Sequence, residues 1–309
     1  MQDQAASLRK LVENKKDSAA KELGTDAAKE AAAPSTARPV PKESARIIAV
    51  TSGKGGVGKS NLTVNLALAF LAEGKKALVI DADLGMANVD VLLGTSSKYN
   101  LLNLLDEDVM LDDVILKGPY GLRYISGGSG MEQAGEFTPA ERDVLEEKLT
   151  GCGERADVIL IDTGAGIGRN VLDFILAADE VILVTTPEPT ALTDAYAVMK
   201  AYSIYATQKN LRLIINRVYG AKESREVAQK LQRAAEKFLH MPVDCLGYVF
   251  EDTSVTKAVR KQQPLLKEAP NAAAARCIDA LAEALLTGGE MRVKRGWKGF
   301  LQQIFKFST

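Results

Sequence analysis

Cysteine is scarce in this 309-residue chain: Cys152, Cys245 and Cys277 stand far apart, with no C-x-x-C pair. That spacing gives no zinc or iron–sulfur framework, and it fits a reducing compartment with the thiols buried as structural side chains. The single histidine, His240, falls at the end of a helical pattern, where capping is expected rather than catalysis. Neither sign of charge is in excess. Lys plus Arg number 39 against 40 for Asp plus Glu, so no global basic field argues for nucleic acid. No apolar run approaches a membrane span, and the opening MQDQAASLRKL has no hydrophobic signal region. The expected location is therefore the cytoplasm. With 46% hydrophobic residues, the chain can bury the core of one large α/β domain plus tails, or of two small domains.

The first 45 residues divide in two. Residues 17–45 are Ala, Lys, Glu, Pro and Ser with almost no large apolar side chain; such a stretch cannot offset the entropy of ordering and is expected to be a flexible linker. Residues 1–16 precede it as a short amphipathic segment. From residue 46 to 288 the pattern alternates. RIIAVTS (46–52), KALVIDAD (76–83), GLRYISGG (121–128), DVILIDTG (157–164), EVILVTTP (180–187), LRLIINRV (211–218) and VDCLGYVF (243–250) read as strands. Helical patterns follow most of them, including TPAERDVLEEKL with a capping box at Thr138 and Glu141, and stretches at 190–209, 222–239 and 270–286. Near-continuous apolar strands separated by helices predict an α/β fold, a mostly parallel sheet with helices on both faces. Ligands of such sheets sit at the carboxyl ends of the strands.

One strand end carries a phosphate-binding loop. Gly53 through Ser60 match G-x-x-x-x-G-K-[ST] between an apolar strand and a helix, the context in which glycines let backbone N–H groups close on phosphate oxygens. Lys59 then reaches the β- and γ-phosphates and the Ser60 hydroxyl goes to Mg²⁺. Two other strand ends supply Asp81, Asp83 and Asp162, carboxylates suited to holding Mg²⁺ and its waters or orienting a nucleophilic water. The D-T-G at 162–164 also matches an aspartic-protease triplet, but that reading leaves the loop and the strand order unexplained. Lys54, a second lysine early in the loop, has no role in the general motif.

KGGVGKS resembles the deviant Walker A motif KGGxGK[ST] of the dimeric MinD/ParA ATPases, and DADLGMANVD resembles their switch I segment. The resemblance implies ATP and ADP as ligands with Mg²⁺, slow hydrolysis of ATP to ADP and phosphate that depends on dimerisation, and a nucleotide cradle of Gly53, Lys54, Gly55, Gly56, Val57, Gly58, Lys59, Ser60 and Asn61. It implies that Lys54 reaches across a two-fold interface to the partner's phosphates, acting in trans as an arginine finger does. It further implies that Asp83 orients the attacking water, that Ser60, Asp81 and Asp162 support Mg²⁺, and that Asn88 and Gly164 to Gly168 belong to the two switches. Asn216, Arg217 and Asp252 are expected around the adenine. Relatives often carry proline where Gly164 stands, and DTGAG points to a particular branch.

Both termini point to that branch. Asp3, Gln4, Ala5, Leu8 and Arg9 resemble the DQAxxLR motif of the FlhG (FleN, YlxH) family, MinD-like regulators of flagellar number and placement, and TTPEPTALTDAYAVMK (185–200) is similar to that family too. The likeness implies that the N-terminal motif binds FlhF, a signal-recognition-particle-type GTPase, and stimulates its hydrolysis. Flagellar C-ring switch proteins or a flagellar transcription regulator are further implied partners. At the other end, residues 289–309 place Trp297, Phe300, Leu301, Ile304 and Phe305 on one helical stripe, rimmed by Arg292, Lys294, Arg295, Lys298 and Lys306. An apolar stripe with a cationic rim and a tryptophan predicts a helix for an anionic membrane surface; a helix packed on the core or on a partner is the alternative. Three rival functions stay open. They are a ParA-type partition ATPase acting on DNA, an iron–sulfur carrier, for which no cysteine lies near the switches, and a nucleotide-locked adaptor without turnover.

Overall fold

A computed structural model describes residues 45–83, 86–128, 138–206, 210–287 and 296–307. The N-terminal motif and the linker at 1–44 lie outside them. The expected α/β architecture is present. The chain starts the sheet in its centre with β1 (Arg46–Ser52), runs through α1 (Lys59–Ala72), and returns as β2 (Ala77–Ala82) and α2 (Asn88–Leu93). A short α3 (Leu111–Val114) and β3 (Leu116–Lys117) precede β4 (Arg123–Ile125), α4 (Pro139–Leu149) and α5 (Cys152–Arg155). Then follow β5 (Val158–Ala165), α6 (Arg169–Ala177), β6 (Glu180–Thr185), α7 (Pro189–Tyr205), β7 (Leu211–Val218), α8 (Ala221–Ala234) and β8 (Asp244–Phe250). Helices α9 (Thr253–Arg260), α10 (Leu265–Glu268), α11 (Ala273–Thr287) and α12 (Gly296–Phe307) complete it.

The eight strands lie in the order β3-β4-β2-β5-β1-β6-β7-β8, and every pairing is parallel except the two-residue edge β3 against β4. Alternation along each strand sends Ile48 and Val50 to a core with α1 and α11, and Ile47 and Ala49 to a second core with α4, α6, α7 and α8. Two buried faces explain the unbroken apolar runs. Thr138 caps α4 as expected: its side chain accepts from Glu141 N–H at 3.3 Å, while its own N–H donates to Glu141 at 2.7 Å. The helix expected at 222–239 instead changes form after Ala234, widening into a π-helical turn (Ala235–Leu239) that His240 ends in a left-handed conformation, φ 48°.

The C-terminal helix forms as expected but its stripe is covered. Trp297, Phe300 and Leu301 are 4%, 1% and 1% exposed, and Ile304 and Phe305 pack against the same cluster. Helix α12 lies on α4, α5, α6 and β1, so residues 296–307 are part of the ATPase body and do not stand apart from it. It fills the gap that those helices leave over the apolar face of β1, which is why the core-packed alternative holds in this structure. Two side chains fix its seat: the Trp297 indole donates to Leu149 O, and Gln303 Nε2 donates to Leu176 O at 2.9 Å. Gly153 makes the approach possible, because a Cβ there would lie 2.7 Å from Trp297 Cβ. Gly153→Ala is therefore expected to lift α12. Cys152 reports it: burial pushes its thiol up to about 12, so it is unreactive while covered. With Cys245 and Cys277 changed to serine, the Gly153→Ala protein should be labelled faster at Cys152 by a thiol reagent, and an unchanged rate would show that α12 tolerates the methyl group.

Candidate active site

Parallel pairing brings the predicted residues to one edge of the sheet. Asp81 on β2 is in register with Asp162 on β5, and Asp162 is in register with Val50 of β1, just before the phosphate loop. The loop turns on Gly56 and Gly58, at φ 80° and 93°, conformations that a Cβ would strain. Gly58 N-caps α1, so the loop's N–H groups gather at the positive end of a 14-residue helix.

Behind the loop sits a buried charge cluster. Lys59 is 7% exposed, and its Nζ lies 2.9 Å from Asp162 Oδ1 and 3.4 Å from the Ser60 hydroxyl. Thr63, one turn into α1, donates to the same Asp162 oxygen at 3.1 Å. Asp162 Oδ2 is buried and has no hydrogen-bond partner among the described residues. Asp81, fully buried, accepts from the N–H groups of Asp83 and Val89 at 3.1 and 3.2 Å. Burial, and next the facing Asp162, push the Asp81 carboxyl up to about 8. Two buried carboxylates, one with an oxygen unsatisfied, beside a serine hydroxyl form an oxygen donor set that suits Mg²⁺. Asp83 is half-buried; burial raises its pKa, against the opposing pull of Lys59. Its Oδ2 accepts from Asn88 Nδ2 at 3.1 Å, and its Oδ1 lies 3.3 Å from where a Gly164 Cβ would be. The glycine in DTGAG thus leaves room for the switch carboxylate.

The second lysine goes elsewhere. Lys54 Nζ, on a side chain 40% exposed, pairs with Glu188 Oε2 at 3.1 Å and bonds Thr190 Oγ1 at 3.0 Å, both at the start of α7. On the far side of the loop, Asn216 Nδ2 donates to Val57 O at 2.7 Å, tying the end of β7 to the cradle. Arg217 takes φ 61° and donates to Glu251 at 2.7 Å. Asp252 has a role not foreseen in the sequence: it N-caps α9 through Ser254 N–H at 2.8 Å and accepts from Ala274 N–H at 3.3 Å, which spends both oxygens on helix starts. Thr63, Glu188 and Thr190 were also missed. Residues 84 and 85 of switch I lie outside the described residues, as do Arg292, Lys294 and Arg295. The three cysteines occupy α5, β8 and α11, none of them beside this cluster.

A family model described as ParA, NUBPL iron-transfer P-loop NTPase matches residues 43–286. The antiactivator FleN of Pseudomonas aeruginosa is 39% identical over 238 residues, 77% of this chain and 85% of that protein. The chain belongs to the ParA/MinD family of P-loop NTPases. Within this family it is also similar to the flagellum site-determining protein YlxH of Helicobacter pylori, 37% identical over 86% of this chain and 92% of the relative. Among solved structures, the septum site-determining protein MinD of Pyrococcus horikoshii, complexed with Mg-ADP, superposes with a TM-score of 0.65 at 30% identity, covering 79% of this chain and 98% of that one. ATP hydrolysis is the activity of a ParA/MinD-type NTPase with this site.

Proposed function

We propose that the chain is an ATP-switched regulator of flagellar number and placement that dimerises around ATP, binds the inner membrane surface in that state, and stimulates an FlhF-type GTPase through its N-terminus. The observation that carries the reading is the divergence of two lysines on one loop. Lys59 is buried behind the cradle on Asp162, whereas Lys54 is exposed and held at the surface by Glu188 and Thr190. An exposed pair of this kind contributes at most about 1 kcal/mol, so Lys54 is easily recruited by a second subunit's phosphates. The names of the relatives FleN and YlxH support the flagellar role.

In this reading Gly53 to Asn61 cradle the phosphates, Lys59 holds their outer charge, and Ser60, Asp81 and Asp162 hold Mg²⁺, which when bound neutralises charge on the phosphates. Asp83 accepts a proton from, and orients, the attacking water. Asn216 and Arg217 flank the adenine, and Asp252 supports that side by fixing α9 and α11. Switch II, Gly164 to Gly168, runs directly into α6, and α6 carries α12. Closure of the switches on ATP shifts α6 and frees α12 for an anionic membrane. The attachment proposed is peripheral, through α12; among the described residues no helix is long and apolar enough to cross a membrane.

The N-terminal segment acts as a detachable effector, since a motif on a tether carries its own contacts. A peptide of residues 1–16 is expected to raise the GTPase rate of an FlhF-type partner by itself, and Gln4→Ala or Leu8→Ala peptides to lose the effect. Full stimulation by protein lacking residues 1–16 would move the activity to the ATPase body.

A further inference from the structure

Helix α2 carries a buried carboxylate that the site described above leaves unused. Asp90 is 5% exposed, and three hydroxyls converge on it: Tyr124 at 2.8 Å and Ser97 on Oδ1, and Ser126 on Oδ2. The cluster continues outward. The Tyr124 hydroxyl is 2.8 Å from that of Thr95, and Gly128 N–H donates to Ser126 Oγ at 3.2 Å. A carboxylate out of water is costly unless its lone pairs are filled, and an apolar side chain would pack α2 without that cost. What hydroxyl bonds add over apolar packing is a fixed direction and distance.

That fixed geometry bears on the two switch carboxylates. The same helical turn holds Asn88, whose Nδ2 donates to Asp83 at 3.1 Å, and Val89, whose N–H donates to Asp81 at 3.2 Å. On the other side, the residue after Ser126 has no room for a side chain. A Cβ at Gly127 would lie 2.8 Å from Asp81 O and 3.2 Å from Asp83 O. The strip Ser126–Gly127 therefore packs against the Asp81–Asp83 backbone, α2 grips its carboxylates, and the Ser126–Asp90 bond clamps the two together.

We propose that Asp90 is a positioning residue for ATP hydrolysis, one that holds Asn88 on Asp83 by locking α2 to Tyr124 and Ser126 at the end of β4. The proposal rests on the reading that Asp83 works on the attacking water. It acts through Asn88, so its loss lowers turnover while leaving the phosphate cradle and ADP affinity intact.

The test uses the full-length protein and a double-mutant cycle between Asp90→Asn, which keeps the side chain's shape, and Asn88→Ala. Asp90→Asn is expected to lower kcat about 10- to 100-fold, the scale of a misplaced reacting group, with KM for ATP and ADP affinity unchanged. In the Asn88→Ala background the same change should cost nothing further. A merely structural role would reduce ADP affinity together with kcat and would cost as much in either background; that result, or a normal kcat for Asp90→Asn, overturns the proposal. If Asp90→Asn shows no cooperative melting, Ser126→Ala and Tyr124→Phe, each removing one donor, enter the cycle in its place with the same expected coupling. Asp83→Ala is measured alongside. Should it turn over normally, the reading of Asp83 falls and the proposal with it; should it be inactive while Asp90→Asn is normal, the proposal alone falls.

Discussion

Lys54→Ala protein is expected to bind ATP with near-normal affinity while losing turnover and ATP-driven dimerisation, whereas Lys59→Ala protein loses nucleotide binding itself. The two lysines stand five residues apart and differ in every physical respect. Lys59 is buried against a fully buried Asp162, so its removal takes a charge from the phosphate cradle and leaves a carboxylate unpaired in the core, a change that costs about 3–5 kcal/mol of stability. A lower melting temperature should accompany the lost binding. Lys54 leaves only a surface pair behind, and its removal should not move the melting temperature. In the proposed reading its contribution comes in trans, where a cation supplied to a transferring phosphoryl group accelerates hydrolysis about 10³-fold or more. Nucleotide titration, phosphate release and melting on the two variants check all of this. Normal turnover of the Lys54 variant would remove it from the catalytic role.

Much of the nucleotide side was legible in the sequence because it is local. The loop, its flanking strand and helix, and the three strand-end aspartates are each set by residues adjacent in the chain, and a parallel sheet must bring strand ends together. What was not legible depends on distant partners. The seat of Lys54 is made by Glu188 and Thr190, 134 and 136 residues away. Asp252 reads as a loop acid near the base, yet its second oxygen is committed to Ala274 N–H, 22 residues on. Asp90 looks like one more surface acid of a short helix until Ser97, Tyr124 and Ser126 fold onto it. The C-terminal helix shows the limit most plainly: periodicity fixes which face of α12 is apolar, but a groove and a membrane ask for the same face.

That double use leads to the second large effect. With ATP, wild-type protein is expected to pellet with anionic vesicles, and with ADP to stay in solution. In its groove, α12 buries Trp297, Phe300 and Leu301, each contributing about 1.5–3 kcal/mol. In the proposed membrane-bound state the bilayer would return most of that burial, so the apolar transfer would be close to balanced and smaller terms would decide. Each basic residue at an anionic surface adds up to about 1 kcal/mol, and a dimer presents two helices, the second of which inserts at high effective concentration. Lys298, exposed on α12, separates the terms. Lys298→Glu should leave Cys152 protected and weaken pelleting, whereas Phe300→Glu should abolish pelleting and also expose Cys152, since a carboxylate fits neither environment. Equal pelleting with ADP and ATP would remove the switch.

The central claim, that ATP itself assembles the active species, is tested most directly by the molecular mass of Asp83→Ala protein measured by light scattering with Mg-ATP and with Mg-ADP. In the proposed reading Asp83 acts in the hydrolytic step more than in binding, so this variant is expected to hold ATP without turning it over. The expected result is twice the subunit mass with ATP, the subunit mass with ADP, and the subunit mass under both conditions once Lys54→Ala is added. A single mass in all of these samples would contradict the account.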